Sequence, residues 1–430
     1  MADNRAITKV RPEEKQSAAS LAFIWIGGII SAPALMIGAA LISGLTLGTS
    51  ILVILVGFLV QAFLMALNGM QASDLGYPAA VLLGKTFGEV GSRFILSGLI
   101  SILQFIQAGI QVAVCGGAFY AALASFGITF IPSWLCSLFW GLLMVLTAVY
   151  GYGWMKILNY VAVPYLIIVC LWATIRSAMD YGVAALLSYQ PETSMSFVAG
   201  LSIVIGMLAM GTLTTTNLTR FAKSRKATIA STFLGIVPAA LLMLTMGAIM
   251  AVTAGTTDIT ELFVNLGFPV LGVLALILAT WTTNTTNFYM MGINIVRVFA
   301  APEKKRAMIT AVAGIISTVL ALFGILNMFS AFMSFLAAIF PSLAGIMIAD
   351  YWIIGKGKPE NFGIVPGINW LGIASWVVGA LVGLFLKAFS PSFVSIIVSI
   401  AVYCVLYSIF KDKLPQPVNP EVYVGSGSDD

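Results

Sequence analysis

The densest group of polar residues in this apolar chain is a short run of hydroxyl and amide side chains. It reads Thr280-Trp281-Thr282-Thr283-Asn284-Thr285-Thr286-Asn287 and lies within a long apolar segment. Polar groups in hydrocarbon are costly unless they face a cavity or one another. Hydroxyl and carbonyl oxygens are hard ligands that suit a small cation such as Na⁺. The alternative is that each threonine hydroxyl bonds to a carbonyl of its own helix.

A second group of polar residues is a row of three glutamines in another apolar segment. Gln104, Gln107 and Gln111 are spaced i, i+3 and i+7, which places them on one face of a helix. Neutral amides can pair with both the donor and the acceptor edge of a planar heterocycle, and Asn284 can supply a further amide. The alternative is that these amides only join neighbouring helices.

Two segments are predicted to interrupt membrane helices. One reads Gly27-Gly28-Ile29-Ile30-Ser31-Ala32-Pro33, and the other reads Gly206-Met207-Leu208-Ala209-Met210-Gly211-Thr212. Proline removes a helix donor and glycine lowers the cost of unwinding. Freed carbonyls at membrane depth are tolerated only in protein or beside a wet cavity. These segments belong to the first and sixth spans, as expected for two inverted repeats of five spans each. The alternative is that small residues simply permit close helix packing.

The residues that are missing exclude several functions. The chain has no His, and its four cysteines lie in apolar runs without a CxxC pair, so neither an intramembrane enzyme nor a metal centre built on these residues is expected. A channel would require a symmetric pore or rings of charge. Asp74 is expected in a loop and Asp350 at the end of the tenth span. Without a mid-span carboxylate, a neutral substrate with Na⁺ coupling is favoured, and H⁺ coupling stays an alternative.

The composition predicts that membrane spans position these residues. The chain is 60% hydrophobic and 9% charged, with mean hydropathy +1.03, which predicts a membrane protein of about twelve spans. The predicted spans are 18–43, 49–70, 94–124, 132–151, 157–177, 196–217, 228–253, 268–296, 308–326, 328–347, 369–387 and 390–410. Nineteen of the twenty-one Lys and Arg residues fall in seven clusters that alternate with pairs of spans. Cytoplasmic loops retain basic residues, so both termini should be cytoplasmic. The net charge of +5 follows from this topology and does not indicate nucleic-acid binding.

The predicted organisation has five parts. A cytoplasmic tail (1–17) precedes the inverted-repeat core (18–347), a cytoplasmic loop (348–368), two accessory helices (369–410) and a disordered tail (411–430). The last six residues, 425–430, have the composition of a linker added for recombinant expression. The amphipathic stretch Ala79–Lys85 is expected at the cytoplasmic membrane interface.

Three motifs resemble one transporter family. The run Trp281-Thr282-Thr283-Asn284, the segment Pro341–Tyr351 and the pair Arg220-Phe221 are similar to the cytosine-permease branch of the nucleobase:cation symporter-1 family. The resemblance extends from about Ala22 to Ile409. It implies an all-α, LeuT-like fold with 5+5 inverted repeats, two more C-terminal helices and discontinuous first and sixth helices. It also implies alternating access around a midplane site.

The resemblance further implies site residues. Sodium ligands would be carbonyl and hydroxyl oxygens of Gly27, Ile30, Ala279, Thr282 and Thr283. The family's substrate-binding glutamine and asparagine fall on Gln104 and Asn284. Its two stacking aromatic residues are absent, because the corresponding positions hold Gln107 and Leu208, or Met207 in a shifted register. The full set of expected substrate contacts is Gln104, Gln107, Gln111, Ser31, Met207, Leu208, Met210, Gly211 and Asn284.

These observations together predict a secondary active transporter with no cofactor other than Na⁺ as the coupling ion. We expect a monomer in a bacterial inner membrane that carries a small neutral heterocycle, with a nucleobase such as cytosine as the leading candidate. A hydantoin, allantoin, vitamin precursor, nucleoside or amino acid carried on the same fold is the alternative.

Overall fold

A computed structural model describes residues 9–150, 152–299, 301–386 and 390–420, and these residues form mainly helices. Its first half contains α1 (Ala18–Ile29), α2 (Ala32–Ile42), α3 (Leu47–Leu75), α4 (Ala79–Thr86), α5 (Glu89–Ser92), α6 (Leu99–Ser125), α7 (Ser133–Tyr150), α8 (Tyr152–Tyr181) and α9 (Val183–Leu187). Its second half contains α10 (Phe197–Met207), α11 (Gly211–Thr219), α12 (Arg225–Ala254), α13 (Ile259–Asn265), α14 (Pro269–Val298), α15 (Arg306–Ala321), α16 (Phe329–Ile348), α17 (Trp370–Phe385) and α18 (Pro391–Phe410).

Helices stand at all twelve predicted span positions. Within the described residues, seven helices are long and apolar enough to cross a membrane, and the bent pair α1–α2 gives an eighth. Shorter apolar helices occupy the fourth, ninth and eleventh positions. An all-helical membrane fold is therefore confirmed, while the number of crossings and the side on which the termini lie stay predictions.

The helices pack in two groups that follow the predicted repeat. In the first group, α12 packs against α1, α2 and α3, and α3 also packs against α10 and α11. In the second group, α6, α7, α14 and α15 pack against one another. Each group takes helices from equivalent places in the two halves of the chain, because α1–α3 correspond to α10–α12 and α6–α7 to α14–α15. This arrangement is the expected 5+5 organisation.

One end of the molecule, here called the basic end, is held by ion pairs between distant segments. Arg225 Nε lies 3.1 and 2.9 Å from the two carboxylate oxygens of Asp74, and the Tyr351 hydroxyl donates to Asp74 Oδ2 at 2.6 Å. Lys85 Nζ lies 3.1 Å from Asp350 Oδ2, and the Tyr403 hydroxyl donates to Asp350 Oδ1 at 3.2 Å. These contacts join α3, α4, α12, α18 and the turn that follows α16.

Two local predictions at this end are wrong. Asp74 lies in the last turn of α3 and not in a loop. The 79–85 stretch forms α4, which is mostly buried because the loop 361–369 binds it through the Asn361 carbonyl and the Asn369 amide, and its placement at the cytoplasmic membrane interface stays a prediction. The predicted loop at 348–368 begins later, since α16 continues as a π-helical turn, Ala349–Ile354.

The chain after Leu414 also differs from its prediction. It was expected to be disordered, yet Ile364 and Val418 exchange two backbone hydrogen bonds of 2.8 Å. This pairing holds the segment around Val418 against the loop that binds α4. The predicted linker at 425–430 lies outside the described residues, as do Arg5 and Lys387.

Candidate functional site

The first predicted break is present between α1 and α2, which meet at an angle of 60°. Ser31 is extended (φ −155°, ψ 160°), and its hydroxyl donates to the Ile29 carbonyl at 3.3 Å. Pro33 stands in the first turn of α2 and has no N–H to continue the α1 ladder. The carbonyls of the last α1 turn are therefore released, as the predicted ligands Gly27 and Ile30 require.

The second predicted break is present between α10 and α11. Leu208 leaves the helical conformation (φ −114°, ψ 15°), and the chain turns through a bond from the Gly211 N–H to the Leu208 carbonyl at 2.8 Å. Met207, Leu208 and Met210 are half-buried. A Cβ added to Gly211 would meet Leu208 and Met65, so this buried glycine permits the close turn. The two discontinuous helices are thus confirmed at the predicted positions.

The threonines of α14 divide into two kinds. Four of the five hydroxyls donate to carbonyls of their own helix: Thr280 to Leu276, Thr282 to Ala279, Thr285 to Trp281 and Thr286 to Thr282. These four follow the back-bonding interpretation. Thr283 is the exception, since its half-buried side chain has no hydrogen bond to any described residue. Its hydroxyl is the one in this run whose proton is not donated to a carbonyl of its own helix, so its orientation is free to suit a cation.

α14 has two accessible faces of different chemistry. Leu274 is exposed on an apolar face shared with Val270 and Leu271. Thr283 follows Leu274 by nine residues, which at about 100° per residue is the opposite side of the helix. Thr283, Asn287 and Met290, spaced i, i+4 and i+7, are all at least partly accessible on that side. A polar face in a membrane helix indicates water and not lipid. This face, here called the polar face of α14, occupies the half of the helix nearer the basic end.

The predicted amides lie between α6 and α14, and their bonding differs. Asn294 Nδ2 donates to Gln104 Oε1 at 3.3 Å, while Asn284 Nδ2 donates to the Ala108 carbonyl at 3.2 Å. Gln107 is half-buried. Both amide atoms of Gln111 are buried without a partner, as is Asn284 Oδ1. Gln104 thus joins α6 to α14, while the Gln111 amide is unused by the described protein.

The predicted sodium ligands belong to two helices. α1, which carries Gly27, packs against α12, while α14, which carries Ala279, Thr282 and Thr283, contacts α2 on the far side of the first break. The Thr282 hydroxyl is already bonded to the Ala279 carbonyl at 2.9 Å. A Cβ added to Gly27 would meet nothing within 4 Å, so open space adjoins the end of α1. The free Thr283 hydroxyl and the released α1 carbonyls have the hard oxygen chemistry that suits Na⁺, and the ligand set stays a prediction.

Trp281, the tryptophan of the α14 run, is directed away from the polar face of α14. It donates from Nε1 to the Thr147 hydroxyl at 3.1 Å and packs edge-on against Trp140 at 5.7 Å, and both partners belong to α7. The second break presents the half-buried apolar side chains Met207 and Leu208 where the resemblance implies an aromatic residue.

Asn287 is the residue of the polar face that the sequence analysis did not select. It belongs to the polar run from which Thr282, Thr283 and Asn284 were chosen. The signal that identifies it is its spacing of four residues from Thr283, which places both on one face of α14. Its Nδ2 atom is buried without a partner.

The fold and this site define a class of protein. Helices interrupted at equivalent places in two repeats, with polar side chains between them, are the features of a membrane transporter and not of an enzyme. The chain matches the family of permeases for cytosine/purines, uracil, thiamine and allantoin over residues 9–409, and it belongs to that family. The resemblance stated from the sequence is thereby confirmed.

Relatives and a solved structure agree with this assignment. The cytosine permease of Escherichia coli strain K12 is 27% identical over 390 residues, with 88% of each chain covered. The hydantoin permease of Microbacterium maritypicum is 25% identical over 401 residues, covering 84% of this chain and 80% of that one. The inward-facing conformation of Mhp1 superposes with a TM-score of 0.83 at 20% identity, covering 98% and 96% of the two chains. The protein is an integral-membrane transporter of the nucleobase type.

Proposed function

We propose that this protein is a Na⁺ symporter for a small neutral heterocycle, with cytosine as the leading candidate. The observation that supports the coupling ion is the hydroxyl of Thr283, which lies half-buried on the polar face of α14 and, unlike its four neighbours, donates to no carbonyl of its helix. The released carbonyls at the end of α1 supply further oxygens of the same chemistry. Transport would proceed by alternating access between the two helix groups.

A neutral substrate is supported by the side chains between α6 and α14. The polar groups there are amides and hydroxyls, and among the described residues these two facing stripes carry no charged side chain between Gln104 and Gln111 or between Thr280 and Asn294. Uncharged amides bind a polar heterocycle through donors and acceptors without requiring a counter-ion. Because Gln107 and Leu208 replace the expected aromatic residues, a heterocycle with out-of-plane substituents, such as a hydantoin substituted at its tetrahedral carbon, is the second candidate.

The cellular setting belongs to the same proposal. The basic clusters support an orientation in which the basic end and both termini face the cytoplasm, with the protein in a bacterial inner membrane. We propose that the working unit is a monomer, because one chain carries both breaks and both helix groups.

A ligand screen on the purified protein tests this function. Thermal unfolding in detergent would be followed with cytosine, uracil, hydantoin, allantoin, nucleosides, vitamin precursors and amino acids, each in NaCl and in choline chloride. A ligand that binds the folded state raises the melting temperature according to ln(1 + [L]/Kd). A shift by cytosine or another heterocycle that requires Na⁺ is the expected result. Equal shifts in both salts would contradict Na⁺ coupling, and a shift by amino acids alone would contradict the substrate.

A further inference from the structure

The α6–α14 interface is built as a ladder of facing polar pairs. The two helices run in opposite directions, and the pair nearest the basic end is Gln104 with Asn294, bonded at 3.3 Å. Farther along, Asn284 Nδ2 donates to the Ala108 carbonyl at 3.2 Å. A step of seven residues, about two helical turns, keeps a side chain on nearly the same face. Seven residues on from Gln104 is Gln111, and seven back from Asn294 is Asn287, so this spacing places the two about two turns in from the Gln104–Asn294 pair, at what is here called the middle level.

This middle pair is unfilled. Gln111 Nε2 and Oε1 and Asn287 Nδ2 are all buried without a hydrogen-bond partner. Buried amides are nearly always bonded in folded proteins, so each exception requires a physical explanation. The Gln104–Asn294 pair shows that the same two residue types bond directly across these helices. A ligand inserted at the middle level would supply the missing partners.

Asn287 has a buried amide nitrogen, like Gln111, and also lies on the accessible side of α14. It is half-buried and follows Thr283 by one turn on the polar face, whereas Gln111 is only 1% exposed. Its Nδ2 is a donor, and the Gln111 amide offers one donor and one acceptor. Two donors and one acceptor complement a planar edge that carries two acceptors and one donor. Cytosine presents such an edge, and so does the imide edge of uracil or hydantoin.

We propose that Asn287 is a specificity-determining residue of this transporter, which donates to a ring carbonyl while Gln111 pairs with the adjoining donor and acceptor of the heterocycle. The proposal rests on the proposed function, because it names a residue of the same substrate site. Asn287 then selects ligands that carry the carbonyl and disfavours those that lack it, since its buried donor would otherwise stay unpaired.

Matched ligands and a matched variant test this role. The affinities of wild type, Asn287→Ala and Thr286→Ala would be measured for cytosine and for the aminopyrimidine that lacks the ring carbonyl. Uracil would be compared in the same way with the two pyrimidinones that each lack one carbonyl. Thr286 is the control because it adjoins Asn287 and its hydroxyl is bonded within α14. Melting temperature and Na⁺ half-saturation would be recorded for every variant.

The expected result is a loss of about tenfold or more in affinity for the carbonyl-bearing ligand in Asn287→Ala, with little change for its carbonyl-free partner. The wild-type preference then collapses while Na⁺ half-saturation stays within about twofold. Equal losses for both ligands, or an unchanged preference, would show that Asn287 only packs the interface and would overturn the proposal. If wild type binds these heterocycles but the variant keeps full discrimination, only this proposal fails. If wild type binds none of them, the proposed function fails with it.

Discussion

Two polar clusters inside this protein differ in how completely their groups are paired. At the basic end, Asp74 is paired with Arg225 and Asp350 with Lys85, and a tyrosine hydroxyl completes each pair. Between α6 and α14 the polar groups are neutral, and atoms of Gln111, Asn284 and Asn287 have no partner. The charged pairs are thus formed within the chain, while the neutral cluster is paired only in part.

The two clusters suit different roles: the charged cluster anchors the fold, and the neutral cluster can bind a ligand. The Lys85–Asp350 pair is buried, and losing one member of such a pair strongly destabilises a fold because the other charge is left uncompensated, so this pair suits an anchoring role. Unpaired buried amides cost about 1–3 kcal/mol each, which a ligand can recover on binding. We infer that the ion pairs fix the π-helical turn after α16, and that the unpaired amides between α6 and α14 bind the substrate. Four predictions test this difference.

The largest effect should come from breaking the Lys85–Asp350 pair. Asp350 is 1% exposed, so Asp350→Asn leaves Lys85 buried without its counter-charge and should destabilise the fold by about 3–5 kcal/mol. The melting temperature and the yield of monodisperse protein in detergent would measure it. The double variant Lys85→Met with Asp350→Leu should recover most of the loss. Wild-type stability in the single variant would show that the pair does not anchor the fold.

The next effect concerns substrate affinity. Gln104→Ala should raise the substrate Kd tenfold or more, because a buried amide partner contributes about 1–3 kcal/mol. Isothermal titration with the ligand identified by the thermal screen would measure it. Asn294→Ala is the matched control, since it removes the same interhelical bond and leaves the Gln104 amide in place. Equal losses in both variants would assign Gln104 to helix packing alone.

A smaller effect is expected for the coupling ion. Thr283→Ala should weaken Na⁺ activation several-fold while the melting temperature without Na⁺ stays unchanged, because the lost hydroxyl has no partner in the protein. Thr286→Ala, whose hydroxyl is bonded within α14, should leave Na⁺ activation as in wild type. The Na⁺ concentration that gives half-maximal ligand shift is the measurement. Unchanged activation in Thr283→Ala would remove this residue from the ion site.

The smallest effect is a pH dependence at the N-terminal segment. Lys15 donates to the Ser73 and Arg220 carbonyls at 3.0 Å each. Burial lowers the pKa of Lys15 below its usual 10.5, with Asp74 acting in the opposite direction. Because the folded state binds this proton less tightly than the unfolded state, wild type should gain stability relative to Lys15→Met as pH rises toward 10.5. Melting temperatures across alkaline pH would test it, and a gap that narrows would contradict the pKa direction.

Features encoded by neighbouring residues were predicted well. Pro33 and the upstream Gly27 and Gly28 mark the first break, and Gly206 and Gly211 flank the second. Because these residues act locally, both breaks could be located from the sequence. The glutamine row follows from helical spacing alone. Which hydroxyl in the α14 run is free could not be predicted, because every threonine there has a carbonyl within one turn and only packing decides which bond forms.

Features that join distant segments were not predictable. Asp74 and Tyr351 are separated by 277 residues, and Asp74 and Arg225 by 151. No local pattern shows that these side chains meet. The backbone pairing of Ile364 with Val418 likewise gives order to a Pro-rich segment whose composition is typical of disorder. Composition indicates whether a segment is ordered on its own, whereas here the pairing with Ile364 orders it.

The measurement that tests the central claim most directly is uptake of radiolabelled cytosine, uracil and hydantoin into proteoliposomes. An inward Na⁺ gradient would be compared with an equal gradient of choline, and protein-free vesicles would give the background. The account predicts that a heterocycle accumulates above its external concentration only with the Na⁺ gradient, and that Thr283→Ala weakens this accumulation. Uptake that is equal with either cation would contradict the proposed Na⁺ symport, and no uptake of any heterocycle would contradict the proposed substrate site.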